Sequence, residues 1–384
     1  MSQANHVATS EPTAIQPFRI AIPDTQIADL KARLGKTRWP YATTNDHSRG
    51  QPIGFVMELV DRWMNDFRWR AHEARLNGYP QFITEIDGQP IHFLHIRSKH
   101  SGAFPLILSH GWPGSVMEFL DLIEPLTNPT SGGQAFDLVI PSLPGFGFSS
   151  PLRESGWDSA RIARAWDTLM KRLGYDRYGA HGGDVGSGIG RELGILQPHG
   201  LVGTHVLQIF AFPAGAEGEM DSLSPFEMEG MAILANFEKY NGYHQIQAKR
   251  PGTLAYGLVD SPVAQMAWNT ELWFGFEGNN IDNVDRDRFL AQASLYWFTG
   301  TGGSAANVYY EDQQTGAGYR EVMNPTPTGV AVFPDDFRSV RSFAERANNI
   351  VHWTEMPRGG HFAASDAPDL LAHDIRAFFS KLNA

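Results

Sequence analysis

A chain of 384 residues that is 42% apolar, 12% aromatic and 19% charged can bury a large interior and does not have the composition of a disordered segment. At about 150 residues per domain this length predicts two or three units, or one large core with an insertion. The 31 Lys and Arg against 42 Asp and Glu give a net charge of −11 without any basic run, which argues against nucleic acid, and the absence of cysteine excludes disulfides, thiolate metal sites, iron–sulfur clusters and a Cys nucleophile while permitting a cytoplasmic address.

Met1 to Thr13 reads as a loose tail without the basic and apolar regions of a signal peptide. No stretch approaches the roughly 18 unbroken apolar residues of a membrane span, because Gly203, Thr204, His205 and Gln208 interrupt even Leu201 to Phe212. A soluble chain is expected. Asp24 is placed to cap a short helix carrying Ile27, Leu30 and Leu34, which Gly35 and Pro40 end. A second helical pattern runs through Phe55, Leu59, Val60, Trp63 and Phe67 to a stop at Gly78-Tyr79-Pro80. Phe82 to Ile86 and Ile91 to Ile96 then read as strands joined by a tight Asp87-Gly88 turn.

Phe104 to Ser109 and Phe136 to Pro141 are short apolar runs of the kind buried in a parallel sheet, and each ends in a Gly-Pro-rich loop. Ile162, Trp166, Leu169, Met170 and Leu173 share a helical face, followed by an expected strand from Tyr175 to Ala180 and another from Val206 to Phe210. This alternation predicts an α/β protein with a mostly parallel sheet. From Pro213 to Pro327 the pattern turns helical, around Met231 to Tyr240, Val263 to Phe274 and Phe289 to Phe298, with no evident buried strand. Strands resume at Val330 to Phe333 and Ile350 to Trp353, and a last helix turns Leu371, Ile375 and Phe378 inward.

Gly182-Gly183-Asp184-Val185-Gly186 lies between a strand and a helix, where small residues permit the sharp turn of a nucleophile elbow. Asp184 stands where a Ser would serve ester cleavage, and a carboxylate attacks saturated carbon without first losing a proton. Its bland alternative is a helix cap. His361, between the last strand and the last helix, is the candidate general base, and either Asp335 or Asp336 is placed to orient it. The amides of Trp112, in His110-Gly-Trp-Pro113, and of Val185 are the candidate oxyanion hole. Gly186-Ser-Gly-Ile-Gly190 has the wrong spacing for a dinucleotide site, and His92 and His95 face opposite sides of their strand, so neither cofactor nor metal is expected.

His110-Gly-Trp-Pro-Gly114, Pro144-Gly-Phe-Gly147, Gly182-Gly-Asp184 and the Thr37-Arg-Trp-Pro40 end of an N-terminal segment together resemble the epoxide hydrolases of the α/β-hydrolase superfamily. The match is to the microsomal and juvenile-hormone type and spans the chain from about Phe18 onward. The resemblance implies a tail at 1–14, an N-terminal extension packed on the core at 15–80, a core at 81–212 and 328–384, and a helical lid at 213–327. It implies two lid tyrosines that hold the epoxide oxygen, here Tyr243 and Tyr309 with Tyr310 as the fallback, and it selects Asp336 through the pattern Phe333-Pro334-x-acid. Val185 departs from the Trp that many relatives carry after the nucleophile, which changes pocket shape and leaves the amide in place. The missing membrane anchor suggests a soluble, bacterial-like member.

The expected reaction is attack by Asp184 on an epoxide carbon, then hydrolysis of the alkyl-enzyme ester by water that His361 activates, giving a vicinal diol without a cofactor. A small apolar epoxide and water are the expected partners, with a homo-oligomer left open, and activity should fall at acid pH. The rivals are a haloalkane or haloacid dehalogenase, for which Trp112 is a candidate halide donor, and a catalytically silent protein of the same fold, which the intact Asp184, Asp336 and His361 argue against.

Overall fold

The structure, a computed structural model, describes residues 13–130 and 132–383, so the expected tail up to residue 12 lies outside the described residues. The chain enters through a three-residue strand, β1 (Gln16–Phe18), too short to be announced by any pattern. Three helices follow: α1 (Asp24–Leu34), α2 (Ile53–Asn65) and α3 (Trp69–Asn77). Asp24 is not the cap of α1. Pro23 occupies that position, and Asp24 is the first helical residue, paired with Arg70. The single second helix expected from the sequence is two, broken at 66–68.

Asp87 and Gly88 hold φ of 50° and 73°, the left-handed pair that a two-residue hairpin turn requires, and they join β2 (Gln81–Ile86) to β3 (Gln89–Ile96). Next come β4 (Phe104–Ser109), α4 (Ile123–Thr127), β5 (Phe136–Pro141), α5 (Ser159–Arg172), β6 (Tyr178–Gly182), α6 (Val185–Leu196) and β7 (Leu201–Val206). Among the described residues the sheet has nine strands in the order β1-β2-β3-β5-β4-β6-β7-β8-β9, where β8 is Asn324–Val332 and β9 is Asn348–Glu355. Pairing is antiparallel from β1 to β5 and parallel from there onward. The α/β-hydrolase sheet, mostly parallel and flanked by helices, is the architecture expected.

Two strands are displaced from their expected positions. β6 begins three residues late, and β7 ends at Val206, where the expected strand began. Leu207 and Ile209 are buried, but in the loop beyond the strand, where among the described residues only the Leu207 amide still reaches β6, at the Gly182 carbonyl, 3.1 Å away. The true strand was masked by Gly203, Thr204 and His205, each with a packing reason. A Cβ at Gly203 would lie 2.5 Å from Leu382, Thr204 bonds Thr328, and His205 Nε2 meets Asp374 Oδ2 at 2.9 Å. β8 likewise starts at Asn324, six residues before the expected run.

The glycines that imitate a phosphate loop have another use. A Cβ at Gly186 would lie 2.0 Å from the Ser109 carbonyl oxygen, and one at Gly190 would lie 3.2 Å from Val206 Cγ1. Glycine on that face lets α6 lie directly on the sheet beneath the site.

Between β7 and β8 stand six helices where three were expected: α7 (Pro225–Tyr240), α8 (Gly242–Lys249), α9 (Pro251–Asp260), α10 (Pro262–Trp273), α11 (Arg286–Thr299) and α12 (Asn307–Thr315). Ser224, Ser261 and Asp285 cap α7, α10 and α11. Helix α12 is tied to the core by Asp312, whose buried carboxylate accepts the Ser159 amide and hydroxyl, both at 2.7 Å, at the start of α5. Two short helices, α13 (Arg341–Ala344) and α14 (Ala363–Asp366), precede α15 (Pro368–Asn383), which packs Leu371, Ile375 and Phe378 against the sheet. No helix among the described residues is long and apolar enough to cross a membrane.

Candidate active site

Asp184 joins β6 to α6 with φ 54° and ψ −125°, a backbone position that non-glycine residues rarely adopt and that here turns the side chain above the sheet edge. The turn depends on its neighbours. A Cβ at Gly182 would lie 2.2 Å from the Gly186 carbonyl oxygen, and a Cβ at Gly111 would lie 2.1 Å from Asp184 Oδ1. Gly111 therefore makes room for the carboxylate, and the next amide, that of Trp112, donates to Oδ1 at 2.8 Å. The Val185 amide hydrogen-bonds the same carboxylate. Burial nevertheless raises the Asp184 pKa, against the opposing pull of His361 and these two amides.

His361 sits after β9, in the loop before α14, and its Nδ1 meets Asp336 Oδ1 at 2.9 Å. Its Nε2 is 3.8 Å from Asp184 Oδ2. Asp335 is exposed at the wall of the same cavity, its backbone bridged to 359–360. Burial opposes the charge on His361, but Asp336, Asp184 and Glu118 outweigh it and push the imidazole up to about 10. Burial also opposes ionisation of Asp336, and the imidazolium together with Gln208 overcomes it, so its carboxyl stays below the usual range.

Two residues of this site escaped the sequence reading. Gln208, just past β7, accepts the Asp184 amide at 2.8 Å through Oε1 and donates its amide to Asp336 Oδ2, so one side chain spans Asp184 and Asp336. Its only sequence signal is a polar residue interrupting an apolar run. Glu118, in a 3-10 turn over Val116–Asp121, lies over Gly114 with its carboxyl pushed up to about 8, first by burial and then by the nearby Asp184, Asp366 and Asp336.

The lid lies opposite. Tyr243, in the first turn of α8, stacks on the Trp112 ring at 5.0 Å between centroids, and Tyr309, in α12, stands edge-on to both rings. Burial, and then the Asp184 charge, raises both phenols well above their ordinary pKa, so both are protonated donors at neutral pH. The Tyr309 hydroxyl is buried without a hydrogen-bonding partner among the described residues. Tyr310 is 36% exposed and does not line the cavity that contains Asp184, Tyr243, Tyr309 and His361, whose volume is about 810 Å³.

The site therefore joins a carboxylate held by two amides, an imidazole beside it, and two phenols across a cavity. That set suits attack on a carbon whose leaving oxygen needs a proton. His92 and His95 have structural partners, Ser142 and Gln81 for the first and Tyr175 for the second. Among the described residues no three His, Asp or Glu are arranged to hold a metal ion.

Residues 15–119 match the family described as Epoxide hydrolase N terminus, and residues 105–208 match the alpha/beta hydrolase fold. The chain is 44% identical to the "Putative epoxide hydrolase" of Stigmatella aurantiaca, covering 96% of this chain and 86% of that protein. It is 32% identical to "Epoxide hydrolase 1" of Sus scrofa, covering 98% and 90%. The structure of Aspergillus niger epoxide hydrolase superposes with a TM-score of 0.85 at 32% identity, over 96% of this chain and 97% of that one.

Proposed function

The chain belongs to the epoxide hydrolases, with the N-terminal extension and α/β-hydrolase core of that family, and from this premise we propose a two-step mechanism centred on Asp184. The enzyme adds water to an epoxide and releases a vicinal diol. Because the Trp112 amide holds Oδ1, the oxygen left to attack is Oδ2, on the side of His361. A new bond forms from Oδ2 to the epoxide carbon as the ring C–O bond breaks. The electron pair passes to the epoxide oxygen, which Tyr243 and Tyr309 hydrogen-bond and one of them protonates; the phenolate so formed takes up the proton of the His361 imidazolium, which leaves the imidazole neutral for the second step.

The product of that step is an alkyl ester with its carbonyl oxygen, Oδ1, still facing the Trp112 and Val185 amides. Water then attacks Cγ, giving its proton to His361, which Asp336 orients. The two amides hold the oxyanion until it collapses, the ester C–O bond breaks, the diol leaves with a proton from His361, and the proton left on the Asp184 carboxyl passes to the neutral imidazole, which restores the resting carboxylate and imidazolium. Asp184 thereby carries one oxygen that came from water.

The observation that supports this reading most is the continuous contact from the Trp112 amide through Asp184 to His361 and Asp336. The phenols suit a developing alkoxide better than a departing halide. Phe210, Ile233, Phe237, Leu272 and Phe276 in the cavity wall favour an apolar epoxide, and a cytoplasmic address fits a chain without cysteine. A His361→Gln variant mixed with styrene oxide is expected to accumulate protein heavier by one epoxide at Asp184, seen by intact mass and peptide mapping. A variant that binds styrene oxide yet never carries the adduct contradicts the two-step reading.

A further inference from the structure

A second cavity, of about 470 Å³, shares Tyr243, Glu271 and Phe276 with the first. Glu271, on α10, is half-buried at this junction, and burial alone raises its pKa. It has no hydrogen bond or ion pair among the described residues, although the segment 47–51 closes beside it, where a Cβ at Gly50 would lie 3.6 Å from its Oε1.

Three donors in this wall are already spent, while the His47 ring also lines it with Nδ1 unpartnered among the described residues. The Trp268 indole N–H goes to Gln247 at 2.9 Å, the Tyr240 hydroxyl to Glu277 at 3.2 Å, and the Gln51 amide N–H to the Gly275 carbonyl at 3.0 Å. Of the two cations that line it, Lys239 lies over the Tyr240 ring and Arg49 acts on Asp46, and neither shifts Glu271. The acceptors are unspent: the Glu271 carboxyl, and in the same wall Gln51 Oε1 without a partner. A carboxyl left unpaired in a partly buried wall is costly unless a ligand supplies donors, and the aromatic ring of Trp268 suits a cation.

We propose that this cavity is a subsite for the far end of the substrate, and that it accepts epoxides whose chain ends in a protonated amine held by Glu271. The inference rests on the epoxide hydrolase reading above and adds the chemistry of the substrate's remote end. Such a group brings charge and an N–H donor to a site rich in acceptors, while the oxirane lies against Asp184 in the neighbouring cavity.

The test compares two isosteric series of terminal epoxides, one ending in a dimethylamino group and one in an isopropyl group, over several spacer lengths. At the spacer that reaches Glu271, the wild-type enzyme is expected to favour the amine by about tenfold or more in kcat/KM, chiefly through KM. Glu271→Gln removes that preference and leaves kcat on the isopropyl epoxide within about twofold, since no charged partner is lost; Glu271→Leu, which cannot hydrogen-bond, is expected to favour the isopropyl compound. Equal kcat/KM for the pair at every spacer in the wild type, a preference that survives both substitutions, or an equal loss on both series would overturn the subsite while leaving epoxide hydrolysis intact. Failure of the wild type to hydrolyse either series would overturn the functional reading as well.

Discussion

In the proposed mechanism, alkylation of Asp184 erases one of the carboxylate charges that keep His361 protonated, and this would link the two chemical steps. In the resting enzyme Asp336, Asp184 and Glu118 together hold the imidazole at about 10 despite its burial, so it is a cation at neutral pH. An ester at Asp184 is neutral, the imidazolium loses a stabilising neighbour, and its pKa falls toward the range in which it can accept a proton from water. The acid limb of kcat therefore reports His361 in the ester and lies below the resting value. Asp184→Asn imitates the neutral ester, and an NMR titration is expected to place the His361 pKa below that of the wild type; an unchanged pKa would show that the other carboxylates set it alone. The proposed mechanism assigns the phenols to the earlier step. Tyr243→Phe or Tyr309→Phe is expected to slow ester formation in single-turnover mixing by about 10²-fold, while Tyr310→Phe leaves it unchanged; equal effects at Tyr309 and Tyr310 would contradict the assignment. Legibility at this scale followed chemistry: Asp184, His361 and the acid are marked by motif and chain order, and the tyrosines only by family resemblance. Gln208 and Glu118 carry no motif, since what marks them is the company they keep in three dimensions.

β4 and β5 were readable to the residue because each is an uninterrupted apolar run bounded by glycine-rich loops. β7 was not, because the side chains that make its middle polar are satisfied by elements far along the chain. His205 and His352, from β7 and β9, both meet the Asp374 carboxylate of α15 at 2.9 Å, and Thr354 adds a third bond at 2.7 Å. These bonds outweigh the cost of burial and hold Asp374 well below the usual carboxylate range. A depressed folded-state pKa stabilises the fold in full above the ordinary carboxylate range, and that stability is lost as pH falls through the native value. Asp374→Ala leaves both imidazoles without their acceptor, and urea unfolding at neutral pH is expected to show a loss of about 3 kcal/mol. A loss under about 1 kcal/mol would mean that this cluster does not fasten α15 to the sheet. Three of the six lid helices, α8, α9 and α12, leave little pattern in the sequence because each is only eight to ten residues long.

Across the whole molecule, three parts of the sequence converge on one cavity. The core supplies Asp184, Asp336 and His361 from loops at one edge of the sheet, and the lid supplies the tyrosines. The N-terminal helices brace that lid: Trp63 donates its indole N–H to Ser294 of α11 at 2.9 Å, Arg62 pairs with Asp287 at 2.7 Å, and Arg33 reaches the Asp260 carbonyl at 3.0 Å. Tyr243 and Tyr309 are thus held over Asp184 by helices bound on one side to α5 and on the other to the N-terminal segment. Alternation of strand and helix in the sequence marks the sheet, but this bracing joins residues more than two hundred positions apart and leaves no local pattern. In the proposed mechanism Asp184 itself becomes the ester whose acyl carbon water attacks. The most direct measurement is one turnover of styrene oxide by excess enzyme in heavy-oxygen water, followed by mass analysis of the peptide containing Asp184. Heavy oxygen in the Asp184 carboxylate, with none in the first diol released, is the predicted result; a labelled diol and an unlabelled Asp184 would contradict it.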